Sequence, residues 1–277
     1  MTQRIASNIT SEIVQKNLRD ISKEEGTQLN QISSGKRITK ASDDSAGLAV
    51  ATNLRAQVNS LRQATRNANE GISLIQTAEG GLSEISNILI RLRELSIQSS
   101  TDTVGDEERE MIDREYQELT QEVDRIAYST IYNRMNLLSD ENAGVVNIHV
   151  GPFADEENII LIDTDITDAT TGALGISGSA VYDKDEALDS LSYLDDAISE
   201  LSNQRAHLGA LQGRLQHAVT NLEGQVVNQE YSRSMIEDVD IAHATAKLTL
   251  TNIKKAAANS ALVQANNLPA STLSLVR

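Results

Sequence analysis

The chain has 277 residues, 39% of them hydrophobic, with a single Phe, no Trp and no Cys. That length allows one or two domains, packing must rely on aliphatic side chains, and neither a disulfide framework nor thiolate chemistry is open to it. The formal charge of −16 is unevenly spread: residues 1–50 hold seven Lys/Arg against six Asp/Glu, and residues 241–277 hold Lys247, Lys254, Lys255 and Arg277 with no acid. The excess acid therefore lies in the middle, which argues against nucleic acid as the ligand there and marks the two ends as the interacting parts. His149, His207, His217 and His243 lack metal-ligand spacing, so neither a metal site nor a cofactor is expected. No run of about 20 apolar residues offers a membrane span, and MTQRIASNITSEIVQ has no continuous apolar core of a secretory signal. Composition alone points to the cytoplasm.

Residues 3–33 set Ile5, Ile9, Ile13, Leu18, Ile21, Leu29 and Ile32 near one face, which predicts an amphipathic helix with a narrow stripe. Ser7, Asn8, Gln15, Asn17 and Gln28 give that helix little stability of its own, so it needs a partner. Asn8-Ile9-Thr10 matches a glycosylation sequon but falls inside the helix.

The stretch from Ser33 to Ser100 organises the rest. A turn at Ser34-Gly35-Lys36-Arg37 leads to a helix start at Ser42, Asp43 and Asp44, whose short polar side chains can cap free N–H groups. Strict heptads follow, with Leu54, Leu61, Ala68, Ile75, Leu82 and Leu89 at d and the mixed set Ala51, Val58, Thr65, Ile72, Glu79 and Ser86 at a. A helix over most of this stretch spans roughly 80 Å, which predicts a rod. The acids Asp106, Glu107, Glu108 and Glu110 open a third helix, continued by Ile112, Tyr116, Leu119, Val123 and Ile126, which should run antiparallel to the central one.

From Tyr128 the period changes. Val145, Val146, Ile148 and Val150 form one β-rich run and Ile159 to Ile162 another, joined through Gly151-Pro152 and three acids, which predicts a β-hairpin. Asp163, Asp165 and Asp168 do not make a calcium loop, because Asp168 and Leu174 stand where Gly and Glu would be required. Heptads return over residues 185–229, with Leu194, Leu201, Leu208, Leu215 and Leu222 at d and Leu191, Ile198, Val219 and Val226 at a, interrupted by Arg205 and Gln212. Five buried leucines at roughly 1.5–3 kcal/mol each make this the natural mate of the central helix. A last helix begins near Glu237, Asp238 and Asp240, carries Ile241, Leu248, Ile253, Ala257, Leu262 and Ala265, and is expected to end at Pro269. Both chain ends are thus apolar-striped helices, and the economical arrangement pairs them. The fold class read from these elements is mainly α: an elongated antiparallel helical bundle with a small β-hairpin and paired terminal helices.

Several motifs resemble those of the bacterial flagellins: SSGKRITKASDDSAGLAVA, RNANEGISLIQTAEGGLSEI and LRELSIQS in the first half, and RAHLGALQGRL, TNLEGQVVN, SMIEDVDIAHATA and LVQANNLPASTLSLVR in the second. The resemblance covers nearly the whole chain. It implies a structural subunit that polymerises into the flagellar filament, with an assembly domain at 1–45 and 237–277 and a rod domain at 46–236, joined through SSGKRITKASDD. Ile5, Ile9, Ile13, Ile21, Ile241, Leu248, Ile253 and Leu262 are the expected assembly residues. Leu54, Leu61, Ile75, Leu82, Leu194, Leu201, Leu208, Leu215 and Leu222 are the expected rod seam.

The resemblance also implies export through the flagellar type III apparatus without a cleaved signal. That replaces the cytoplasmic reading with an extracellular filament. Self, an export chaperone, the filament cap and hook-associated proteins are the implied partners. A host Toll-like receptor would meet Arg91, Leu95 and Glu115 on an exposed face, with contact between neighbouring subunits as the primary role of that face. Gly151 and Pro152 fall in a hairpin that the resemblance puts at a switch between filament packing states, and the polar a positions of the helical seams (Thr65, Glu79, Ser86, Arg205 and Gln212) are expected to weaken register.

The large variable outer domain of most relatives is missing, which makes this a minimal form. Ile131-Tyr132-Asn133-Arg134-Met135 stands where the family often has Phe-Asn-Gly. No HExxH is present, and no enzymatic activity is assigned. A hook-filament junction protein and a cytoplasmic coiled-coil scaffold are the competing readings.

Overall fold

A computed structural model describes residues 7–139, 144–163 and 167–275. Its helices are α1 (Ile9–Ser34), α2 (Ser45–Ser99), α3 (Asp106–Ser129), α4 (Lys184–Glu237) and α5 (Ile241–Leu275); its strands are β1 (Ile131–Tyr132), β2 (Met135–Asn136), β3 (Val145–His149) and β4 (Ile159–Asp163). The chain divides into two compact units, residues 1–56 with 228–277, and residues 57–227. The boundaries read from the sequence, at 45/46 and 236/237, coincide instead with the breaks between helices, since α2 starts at Ser45 and α4 ends at Glu237.

In the unit of residues 57–227, α4 runs antiparallel to α2. Arg93 Nε meets Asp195 Oδ1 at 2.7 Å near one end, and Leu61 clusters with Leu222 near the other. Leu61, Ala68, Ile75, Leu82 and Leu89 of α2 are buried, as are Leu194, Leu201, Leu208, Leu215 and Leu222 of α4, so the two leucine-rich seams face each other. Leu54 differs. It is only partly buried and belongs to the other unit, so the common seam begins at Leu61. Arg205 Nη2 lies 3.9 Å from Glu79 Oε1, so two polar a positions on opposite helices face each other.

α3 runs antiparallel to α2. Its Glu108 accepts from the Gly105 N–H (3.0 Å), which closes the acidic first turn, and Ile112, Tyr116, Val123 and Ala127 turn inward. After α3, β1 and β2 pair through Tyr132↔Met135 around Asn133 (φ 48°) and Arg134 (φ 68°). Positive φ at both central residues is the mark of a type I′ turn, which suits Asn and Gly better than Arg.

β3 and β4 form the expected hairpin, in register from Val145↔Asp163 to His149↔Ile159. Ile160 and Ile162 point into the core while Leu161 points out. Residues 167–183 then run back along α3 as an irregular strap rich in turns. Asp124 accepts from Thr171 N (2.8 Å) and Oγ1 (2.9 Å), Asp113 accepts from Val181 N (2.8 Å), and buried Tyr116 shares its hydroxyl with Ser179 Oγ (2.8 Å). Burial pushes the Tyr116 hydroxyl pKa upward.

The expected helix stop at Pro269 is not observed, because α5 continues to Leu275. Proline removes one donor and strains one turn, a local penalty that a helix of 35 residues absorbs.

Candidate assembly surfaces

In the unit of residues 1–56 and 228–277, α1 and α5 pair antiparallel and come closer together than any other two helices. Ser11 Oγ lies 2.7 Å from Asn266 Oδ1 at one end, and Lys255 Nζ lies 2.6 Å from Glu25 Oε2 further along. Ser11, Val14, Leu18, Ile21, Glu25, Gln28 and Ile32 of α1 lose exposure at spacings alternating by three and four, with Gly26 and Gln31 partly covered beside them. On α5 the corresponding positions are Ala244, Leu248, Thr251, Lys255, Ala258, Leu262 and Ala265, with the same alternation. This is a coiled-coil repeat on both helices, and the small residues on α5 permit the close approach.

The seam corrects the single stripe read from the sequence. Ile21, Leu248 and Leu262 lie on it, whereas Ile9, Ile13, Ile241 and Ile253 are exposed, Ile13 by 55% and Ile253 by 63%. Ile5 lies outside the described residues. The seven-residue repeat places polar Ser11, Gln28 and Thr251 inside and leaves aliphatic Ile9, Ile13, Leu29, Leu250, Ile253 and Val263 outside. A pattern search that follows apolar residues alone merges two faces into one.

The ends of the pair are tied by local chemistry. Asn8 caps α1 by accepting from Ser11 N (3.1 Å) and donates its amide to Ala265 O (2.8 Å), so the side chain of the sequon is already engaged. At the other end Gly35 ends α1 at φ 70°, in the left-handed region that favours glycine. The following segment is strapped to the end of α4: Arg37 N donates to Glu237 O (2.7 Å), the Arg37 guanidinium donates to Ile236 O (2.7 and 3.1 Å), Val239 N donates to Gly35 O (3.0 Å), and Lys36 pairs with nearly buried Glu237. Asp44 caps α2 at Gly47 N (2.8 Å). Asp43 accepts from Thr39 Oγ1, Lys40 N and Thr39 N, which holds its carboxyl below the usual carboxylate range. Both aspartates expected at the start of α2 are thus engaged, Asp44 at its N-terminus and Asp43 on the segment before it.

In the other unit the LRELSIQS segment presents two faces. Arg91 is exposed and donates to Glu115 Oε1 (2.8 and 3.1 Å) and Glu94 Oε2 (3.1 Å). Leu95 is 1% exposed and belongs to the core, so the expected contact face of Arg91, Leu95 and Glu115 loses its middle member. Leu95 lies four residues after Arg91, but its side chain is enclosed in the core cluster. At the hairpin tip, a Cβ on Gly151 would meet Asn158 Cβ at 2.6 Å, and Val150 N donates to Asn158 O (2.7 Å), so Gly151 permits a close approach within the loop. No group of three His, Cys, Asp or Glu able to hold a metal occurs among the described residues, and no described helix is long and apolar enough to cross a membrane.

The paired terminal helices with aliphatic outer faces and, in the other unit, the long leucine seam match a known pattern. A family model for the bacterial flagellin N-terminal helical region matches residues 5–143, and one for the C-terminal helical region matches residues 191–276. The chain belongs to the bacterial flagellin family. A flagellin of Halalkalibacterium halodurans is 38% identical over 251 residues, 90% of each chain. The flagellar filament 33 kDa core protein of Treponema phagedenis is 34% identical over 285 residues, 99% of each chain. Among solved structures, a Bacillus cereus flagellin superposes with a TM-score of 0.51 at 27% identity, covering 57% of this chain and 88% of that one. The chain is accordingly a structural subunit of the flagellar filament, an extracellular appendage, and no variable outer domain is evident between its two flagellin regions. The junction-protein and cytoplasmic-scaffold readings are not favoured.

Proposed function

We propose that the terminal pair drives polymerisation through its outer faces, with residues 1–45 and 237–277 as the assembly domain and residues 46–236 making the remaining contacts between subunits. The observation that carries this reading is the distribution within the pair: Ser11, Gln28, Ala244, Thr251 and Ala265 take the most buried seam positions beside partly buried Leu18, Ile21, Leu248 and Leu262, while Ile9, Ile13, Leu29, Ile241, Leu250 and Ile253 face outward. Each is about half exposed and offers on the order of 1 kcal/mol when a neighbouring copy covers it. Ile21, Leu248 and Leu262 act earlier, by closing the pair itself. Apolar rows of this size serve a monomer badly and a polymer well.

Arg91 and Glu115 serve as a polar contact between subunits. A host Toll-like receptor reading of the same face is weakened by the burial of Leu95. The hairpin at Gly151 and Pro152 adjusts packing between subunits, because its tip is a tight loop with exposed Phe153 at its end. By resemblance to the family, the chain passes through the flagellar type III apparatus with an export chaperone and meets the cap and hook-associated proteins. The test of the assembly role is a chain lacking residues 240–277. It should stay soluble and helical and fail to grow on filament seeds, whereas filaments formed by that truncation would refute the assignment.

A further inference from the structure

The seam of the terminal pair carries one charge on each helix, and the two meet. Glu25 and Lys255 both occupy seam positions, 2.6 Å apart, with side chains 21% and 37% exposed. An ion pair at such a site adds little net stability over aliphatic residues, because desolvation offsets most of the attraction. Its effect is on selection. The rest of the seam sets Val14, Leu18 and Ile21 against Ala258, Leu262 and Ala265, and its polar members Ser11, Gln28 and Thr251 are uncharged, so no other seam charge stands against a slipped alignment. Sliding one helix by a seven-residue repeat would set Lys255 against Leu18 or Ile32 and Glu25 against Leu248 or Leu262, stranding two charges either way. Pairing α1 with another α1, or α5 with another α5, likewise separates Glu25 from Lys255.

We propose that Glu25 and Lys255 are the register-selecting and partner-selecting residues of the terminal pair. A growing filament brings many identical helices together, and this pair makes α1 close on α5 in one alignment.

The chain has no cysteine, so an introduced pair reports one proximity cleanly. Ser11→Cys with Asn266→Cys reports the observed register, in which the two side chains touch at 2.7 Å. Ser11→Cys with Asn259→Cys reports the register slipped by seven. Oxidation is applied to the full chain, soluble and sedimented together, and seeded growth is followed in parallel without the cysteines. In the unsubstituted background only the first pair should cross-link. Glu25→Lys or Lys255→Glu alone should slow seeded growth by roughly tenfold, and the two together should return it to within about threefold. Glu25→Leu with Lys255→Leu keeps the seam apolar and should yield the slipped cross-link alongside the observed one. The proposal is overturned if the exchanged pair grows no better than the single reversals, or if the double leucine chain gives only the observed cross-link. It is equally overturned if that chain gives neither, since leucines at both positions should strengthen pairing.

Discussion

Leu95→Ala is the substitution that best separates packing from contact within the LRELSIQS segment. Leu95 is 1% exposed and sits in the core cluster shared by α2, α3, α4 and the strap. Truncating a fully buried leucine removes its transfer free energy and leaves a cavity, a loss of about 2–5 kcal/mol. For a cooperative unit of 150–250 residues this corresponds to a fall in melting temperature of roughly 4–20 °C. Arg91→Ala, four residues earlier, removes only half-exposed ion pairs to Glu115 and Glu94 and should change stability by no more than about 1 kcal/mol. Thermal unfolding followed by circular dichroism at 222 nm, on both full-length variants, reads the difference. An unchanged melting temperature for Leu95→Ala together with lost polymerisation would refute the reasoning, because it would make Leu95 a surface residue that acts between subunits.

Three further outcomes are expected. Arg134 holds φ 68° in the β1–β2 turn, so Arg134→Gly should raise stability by about 0.5–1 kcal/mol, measured by urea unfolding, and a loss would show that the side chain makes a contact that matters more than the backbone. Gly151→Ala forces Asn158 and the hairpin loop to move; filament waveform under the electron microscope should change more than the amount of filament, and unchanged waveform across several substitutions at Gly151 and Pro152 would count against the hairpin's role. Burial raises the Tyr116 pKa in the folded chain, so its contribution is fully present below the ordinary tyrosine range and is lost as pH rises into and beyond that range. Tyr116→Phe should therefore flatten the alkaline limb of a stability-against-pH curve, and an identical limb in both chains would show that other groups carry it.

The helices were legible because their seams are periodic: Leu194 to Leu222 repeats every seven residues without exception, and all five leucines are buried. The hairpin was legible from its β-branched runs. The terminal pair was only half legible, since its most buried positions are Ser11, Gln28, Ala244 and Thr251 while Ile9, Ile13 and Ile253 lie outside. Nothing local distinguishes Ile13 from Ile21; only the partner helix does. The strap over α3 was also hidden, because it is held by Asp113, Asp124 and Tyr116, which lie about 47 to 68 residues away from the backbone or side-chain groups they bind. Leu95 was misplaced because the family resemblance, not its own surroundings, set it on the exposed face with Arg91 and Glu115.

The outward aliphatic residues of α1 and α5 are the proposed source of assembly energy. The direct measurement is seeded filament growth by a full-length chain carrying Ile13→Ser and Ile253→Ser, beside one carrying Val227→Ser and Tyr231→Ser on the exposed face of α4. The first should keep its helical content and grow on seeds at less than about one tenth of the unsubstituted rate. Growth at the unsubstituted rate would contradict the central claim, and so would an equal loss of growth in the α4 variant.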